Sequence, residues 1–185
     1  MTMPQAPALI LIDLQIGFDE LYWGMRNNPE AEGNISKLLA EWRAKGWPVI
    51  HVHHHSQNSA SPLHPDNPGC KVKPEFAPNP GESVFQKRVN SGFIGTNLQQ
   101  ELRDRGITEL VIVGLTTDHC VSTTTRMAAN FGFGVKLVSD ATATFDRTGP
   151  NGKHYTADEM HDLALASLHN EFAEVITTTK LLANL

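Results

Sequence analysis

Residues 109–133 read ELVIVGLTTDHCVSTTTRMAANFGF. Leu110, Val111, Ile112 and Val113 form a continuous, β-rich apolar run. A strand covered on both faces reads this way, as the central strand of a parallel sheet does. Gly114 ends the run, and Leu115 to His119 form a tight polar turn. From Cys120 onward, small and apolar residues recur at helical spacing: Val121, Thr124, Ala128, Phe131. The stretch therefore predicts strand, turn and helix, with Cys120 at the helix N-terminus. The first N–H groups of a helix lack internal partners and carry partial positive charge. Such a place lowers a thiol's pKa and offers donors to a developing oxyanion. The plain alternative is a small buried hydrophobe, a common fate of free cysteine. This stretch alone leaves both readings open.

The flanking chain repeats the alternation. Ala8–Asp13, ALILID, is an apolar strand ending in an acid. Within residues 32–45, Ile35, Leu38, Leu39 and Trp42 mark one face of a helix that Gly46 stops. Pro48–His53 reads as a second strand, and Ser83–Lys87 as a third, ending in a lysine. Between them, residues 54–81 are polar and rich in Pro, Asn and Gly. An irregular segment of that length is a functional loop or an oligomer contact. Thr96–Arg105 reads as a helix capped by Thr96, and Val135–Ser139 as a strand. Residues 146–156 form a turn-rich excursion. Ala157–Asn170 is a helix, Glu174–Thr178 a last strand, and the tail frays. Strands alternating with helices predict one α/β domain over residues 1–185: an open six-stranded, mainly parallel sheet with helices on both faces.

Totals narrow the function. The chain has 185 residues and a net charge of −5, with its basic residues scattered. That balance argues against a nucleic-acid partner. No apolar run approaches the ~20 residues of a membrane span. The N-terminus lacks a basic leader, and only two cysteines occur, Cys70 and Cys120. A reduced, cytoplasmic protein is the expectation.

Ligands of open α/β sheets bind beyond the carboxyl ends of the strands. Asp13, Lys87 and Cys120 occupy that position on three strands, far apart in sequence. Each has a bland reading, as a turn cap, a solvated charge or a core thiol. Together they form a coherent set: a nucleophile, a proton carrier, and a cation that orients both.

Three motifs carry a family resemblance: ALILIDLQIGF around Asp13, FQKRVNSGFIGTNL around Lys87, and VGLTTDHCVSTTTRMA around Cys120. ALASLHNEFAEV near the C-terminus supports them. The chain resembles the isochorismatase-like cysteine hydrolases over nearly its whole length. The resemblance implies an Asp13–Lys87–Cys120 triad and a cis peptide between Leu115 and Thr116. It further implies an oxyanion hole made by the Thr116 and Cys120 N–H groups. The implied reaction is attack on an amide, imide or ureido carbonyl of a small molecule. Members that hydrolyse the vinyl ether of isochorismate typically lack the cysteine, so C–N cleavage is the expectation here.

Candidate substrate contacts are Phe18, Trp23, Asn90, Phe93, Thr117 and His119, while Asp118 reads as the cap of the cysteine helix. Arg147 and His154, on the excursion, are within reach of this site or a neighbour's. Five of the nine histidines fall between positions 51 and 64. Nicotinamidases of the family bind metal through an Asp-x-His pair here, and this chain has no such pair. The expectation is therefore no cofactor, with a divalent transition metal on His53, His55 and His64 as the alternative. Rival functions are a metal-dependent nicotinamidase-type amidase and a non-catalytic thiol redox or binding protein. The resemblance and the long loop together suggest a homo-oligomer, a dimer or tetramer.

Overall fold

A computed structural model describes residues 6–185. Its strands are β1 (Ala8–Ile12), β2 (Val49–His54), β3 (Ser83–Lys87), β4 (Glu109–Leu115), β5 (Gly134–Ala143), β6 (Arg147–Thr148), β7 (His154–Tyr155) and β8 (Glu174–Ile176). Its helices are α1 (Ala31–Lys45), α2 (Leu98–Asp104), α3 (Ser122–Asn130), α4 (Ala157–Leu168) and α5 (Thr178–Ala183). Six strands form one sheet in the order β3-β2-β1-β4-β5-β8. Every neighbouring pair in it is parallel.

Side-chain alternation along β1 explains the two helical layers. Leu9 and Leu11 enter a cluster with Ile35, Leu38 and Trp42 of α1 and Leu181 of α5. Ala8, Ile10 and Ile12 enter the opposite cluster, with Leu98 and Leu102 of α2, Ala128 of α3 and Leu168 of α4. Full burial of each large aliphatic side chain contributes about 1.5–3 kcal/mol relative to exposure. Trp42 is fully buried, and its indole N–H donates to the Pro7 carbonyl at 2.8 Å.

The expected strands and helices are present, with local differences: β5 runs on to Ala143, where a strand ending at Ser139 was expected. Residues 178–183 are helical where a fraying tail was expected, because the Thr177 hydroxyl accepts from the Lys180 N–H and Leu181 is buried. The excursion after β5 closes on itself as the small antiparallel pair β6–β7. The α2 helix starts at Leu98 with Asn97 as its cap, leaving Thr96 two residues outside it: its hydroxyl donates to the Gly92 carbonyl and accepts from the Leu98 N–H.

Gly114 is required where β4 reaches the site. Its φ is 117°, and a Cβ there would sit 2.0 Å from the Ile12 carbonyl oxygen. Only glycine lets β4 lie this close to β1 at that point. Among the described residues, no helix is long and apolar enough to cross a membrane.

Candidate active site

β1, β3 and β4 end at one rim of the sheet, and this brings the three sequence candidates together. Asp13 follows β1 directly, with its backbone in the left-handed region at φ 54°. Aspartate tolerates that conformation better than most residues. Its N–H donates to the Val52 carbonyl at 2.8 Å, which ties the end of β1 to β2. Lys87 is the last residue of β3, and its side chain is fully buried, as is that of Asp13.

The Lys87 ammonium is the hub. Nζ lies 2.7 Å from Asp13 Oδ2, 2.9 Å from His54 Nδ1 and 3.2 Å from Cys120 Sγ. The other carboxylate oxygen, Asp13 Oδ1, is buried and accepts no hydrogen bond of ordinary geometry. The carboxylate lies within 4.8 Å of Cys120 Sγ. The site thus holds a carboxylate with free acceptor capacity beside a thiol, and a cation touching both.

Cys120 lies in a π-helical turn, Thr117–Val121, that leads into α3. The turn follows a cis peptide between Leu115 and Thr116. Thr117 is fully buried, and its hydroxyl meets His161 Nδ1 of α4 at 2.9 Å, which pins the turn from behind. Asp118 does not cap the turn, contrary to expectation. Its carboxylate instead accepts from Thr144 Oγ1 at 2.5 Å and from Arg147 Nε at 3.0 Å.

The charge environment of the thiol weighs toward the buried reading of the two that the stretch left open. Burial pushes the Cys120 thiol up, and the Asp13 carboxylate pushes it further, against the opposing pull of Lys87. The helix N-terminus alone does not decide the matter, because Cys120 is only 7 % exposed. Burial also works against the Lys87 charge, but Asp13 and Cys120 outweigh it and leave the ammonium's pKa raised. Both directions favour a thiol beside an ammonium. Ionising the sulfur requires moving its proton within the site.

A cavity of ≈130 Å³ opens on Cys120. Phe18, Trp23 and Leu63 form its apolar wall. Asn90, Thr116, His119, His54 and Arg147 supply polar groups. Phe18 and Trp23 pack at 5.0 Å between ring centroids, with Phe145 behind both. Four larger depressions, of ≈230 to ≈420 Å³, contain no cysteine. Of the candidate contacts, Phe18, Trp23, Asn90 and His119 border the cavity. Phe93 lies elsewhere, packed on Phe131 and Phe133 in the core beneath α2 and α3. Thr117 points to α4. Leu63 was not anticipated, since nothing in its loop's sequence marks it.

The histidine cluster divides by role. His51 is buried and pairs with Glu82 at 2.8 Å, and Arg43 holds the other side of that carboxylate. His53 shares a face of β2 with His51, at 6.1 Å between rings. His64 Nδ1 accepts from the Asp66 N–H. No cluster of possible metal ligands among the described residues joins His53, His55 and His64. The group that converges is Asp13, His54 and Cys120, and the Lys87 ammonium already bridges all three. A metal ion would fit there only by displacing that ammonium.

Comparison with known proteins agrees with this architecture. The isochorismatase domain model matches residues 7–180. An uncharacterized isochorismatase family protein of Bacillus subtilis, YrdC, is 49% identical over 180 residues, covering 97% of this chain and 96% of its own. A putative hydrolase of the isochorismatase family from Chromobacterium violaceum superposes with a TM-score of 0.93 at 44% identity, covering 99% of this chain and 94% of that one. A cysteine hydrolase from Pseudomonas syringae superposes with a TM-score of 0.86 at 25% identity, covering 99% and 97%. On its matched domain, its sheet order and these relatives, the chain belongs to the isochorismatase family of hydrolases.

Proposed function

We propose that this hydrolase cleaves a C–N bond of a small amide, imide or ureido compound, with Cys120 as nucleophile. One observation carries the reading: a single buried ammonium contacts both the Asp13 carboxylate and the Cys120 sulfur. The likeness to a protein called a cysteine hydrolase supports it.

The steps follow from the contacts. Asp13 takes the thiol proton as the sulfur attacks the carbonyl carbon. The tetrahedral oxyanion is held by the N–H groups of Thr116 and Cys120, and each such donor is worth about 2.7–4 kcal/mol in comparable sites. The C–N bond breaks, and the proton on Asp13 passes to the departing nitrogen. A thioester or thiocarbamate remains on Cys120. Asp13 then deprotonates a water that attacks this acyl group. The S–C bond breaks, and Asp13 returns the proton to the sulfur. Lys87 keeps its charge throughout and balances whichever of its two neighbours is anionic.

The raised thiol suits this order. In this order the thiolate forms together with attack rather than before it. The ≈130 Å³ cavity restricts the substrate to a compact molecule.

The test is a panel of small amides and ureido compounds, offered to the wild type and to Cys120→Ala and Asp13→Asn. Turnover in the wild type, with loss in both variants while thermal unfolding still shows a cooperative fold, is the expected outcome. Undiminished turnover by Cys120→Ala would rule out covalent catalysis.

A further inference from the structure

His54 is the contact of Lys87 that the triad does not require. An ammonium has three N–H donors and no acceptor. Here the three partners are Asp13 Oδ2, Cys120 Sγ and His54 Nδ1. Each proton therefore has one acceptor, and His54 Nδ1 must present its lone pair. That fixes the imidazole as the neutral tautomer with its proton on Nε2.

The surroundings enforce the same state. The fully buried Gln15 amide holds the His54 backbone from both sides. Its Oε1 accepts from the His54 N–H at 2.8 Å, and its Nε2 donates to the His54 carbonyl at 2.9 Å. The imidazole also meets the Val89 backbone. Burial and the Lys87 charge hold the imidazole's pKa low, while Asp13 pulls it up and His55 down. His54 is therefore anchored at its backbone, assigned in its tautomer and placed in the cavity wall.

We infer that His54 is a positioning residue, which takes the third proton of Lys87 so that the other two stay aimed at Asp13 and Cys120. The inference rests on the catalytic reading of Lys87 and Cys120 given above. It also says what His54 does not do. Its only lone pair is occupied by the ammonium, so it is not the base that ionises the thiol. Without this acceptor the ammonium is free to rotate, and the N–H now directed at the sulfur swings toward Asp13 Oδ1 or water. The sulfur's proton is then harder to remove.

Two measurements test this without a substrate. Nitrogen-15 NMR of histidine-labelled, intact protein at about pH 8 should show His54 as the Nε2–H tautomer. Iodoacetamide alkylation of Cys120, followed by intact mass with Cys70→Ser as background, should slow about tenfold at pH 8 in His54→Leu. His54→Asn, whose amide oxygen can replace Nδ1 as acceptor, should recover most of the rate. A wild-type His54 carrying its proton on Nδ1 would overturn the inference. So would a folded His54→Leu protein that alkylates across pH like its parent. If His54→Leu does not fold, the tautomer measured in the wild type still decides. Neither readout depends on turnover, so failure of the proposed C–N hydrolysis would be seen separately.

Discussion

Lys87 Nζ stands 2.7 Å from Asp13 Oδ2, and neither side chain touches solvent. A pair this deeply buried is costly to break from one side. Lys87→Met would leave the Asp13 carboxylate unpaired, at about 3–5 kcal/mol. Replacing both, as in Asp13→Asn with Lys87→Met, removes the orphaned charge and keeps a residue that tolerates the positive φ. The double variant is expected to be more stable than Lys87→Met alone, although inactive. Urea unfolding of the four proteins of this cycle measures the coupling, and simple additivity would contradict it.

Gly114 supplies the second prediction. Its φ of 117° strains any other residue, and the added Cβ would meet the Ile12 backbone rather than a yielding side chain. Gly114→Ala is expected to lose on the order of 3 kcal/mol or more. The damage falls where β4 delivers the cysteine turn, so alkylation of Cys120 should change along with the melting temperature. An alanine variant melting with the wild type would show that the strands can separate there without penalty.

The sequence carried most of the sheet and, through the family resemblance, most of the pocket lining except His54 and Leu63, and the reason for the gaps is one of range. Leu110 to Val113 and Ala8 to Ile12 encode their strands in their own composition. The fold then carries Asp13, Lys87 and Cys120 to one rim, so the trio was legible as three strand ends. Pocket walls depend on side-chain direction and on loop paths, which no local pattern encodes. Phe93 looked like Phe18 in sequence, yet it turns into the core against Phe131 and Phe133. Leu63 reaches the cavity only because residues 55–82 fold back over it. Asp118 had the position of a cap, but a buried carboxylate takes its stronger partners, and Arg147 and Thr144 lie within reach. The stretch around the thiol left two readings open for a related reason. A helix N-terminus can be read from sequence, whereas desolvation and a neighbouring carboxylate cannot.

Acid should act on two depressed carboxylates far from the cysteine. Burial works to raise the pKa of Glu32, but Arg26 and Lys73 outweigh it and hold it at about 2, against an ordinary 4.5. Glu82, likewise opposed by burial, is held at about 2 by Arg43, the Asn79 N–H and His51. A carboxyl with its folded pKa below its unfolded one stabilises fully above the unfolded value. That contribution is lost as pH falls through the folded value. The window is therefore between about pH 4.5 and 2. Glu32→Gln is expected to lower stability at pH 7 and to flatten its decline across that window. Urea midpoints at pH 7, 4.5 and 3 check this, and a parallel offset at all three would exclude the linkage.

Arg147 separates binding from chemistry. It borders the cavity, yet its guanidinium is tethered by Nε and Nη2 to the Asp118 carboxylate and contacts none of the triad. Its charge is therefore fixed in place and partly neutralised, which suits a hydrogen bond to substrate better than the capture of a strong anion. An interaction made equally with ground state and transition state changes KM and leaves kcat alone. With a substrate identified from the amide and ureido panel, Arg147→Met should raise KM about tenfold and change kcat less than about threefold. Asp118→Asn weakens the tether but keeps the guanidinium, so a smaller rise in KM is expected. A fall in kcat matching that of Asp13→Asn would instead place Arg147 among the groups that act on the transition state.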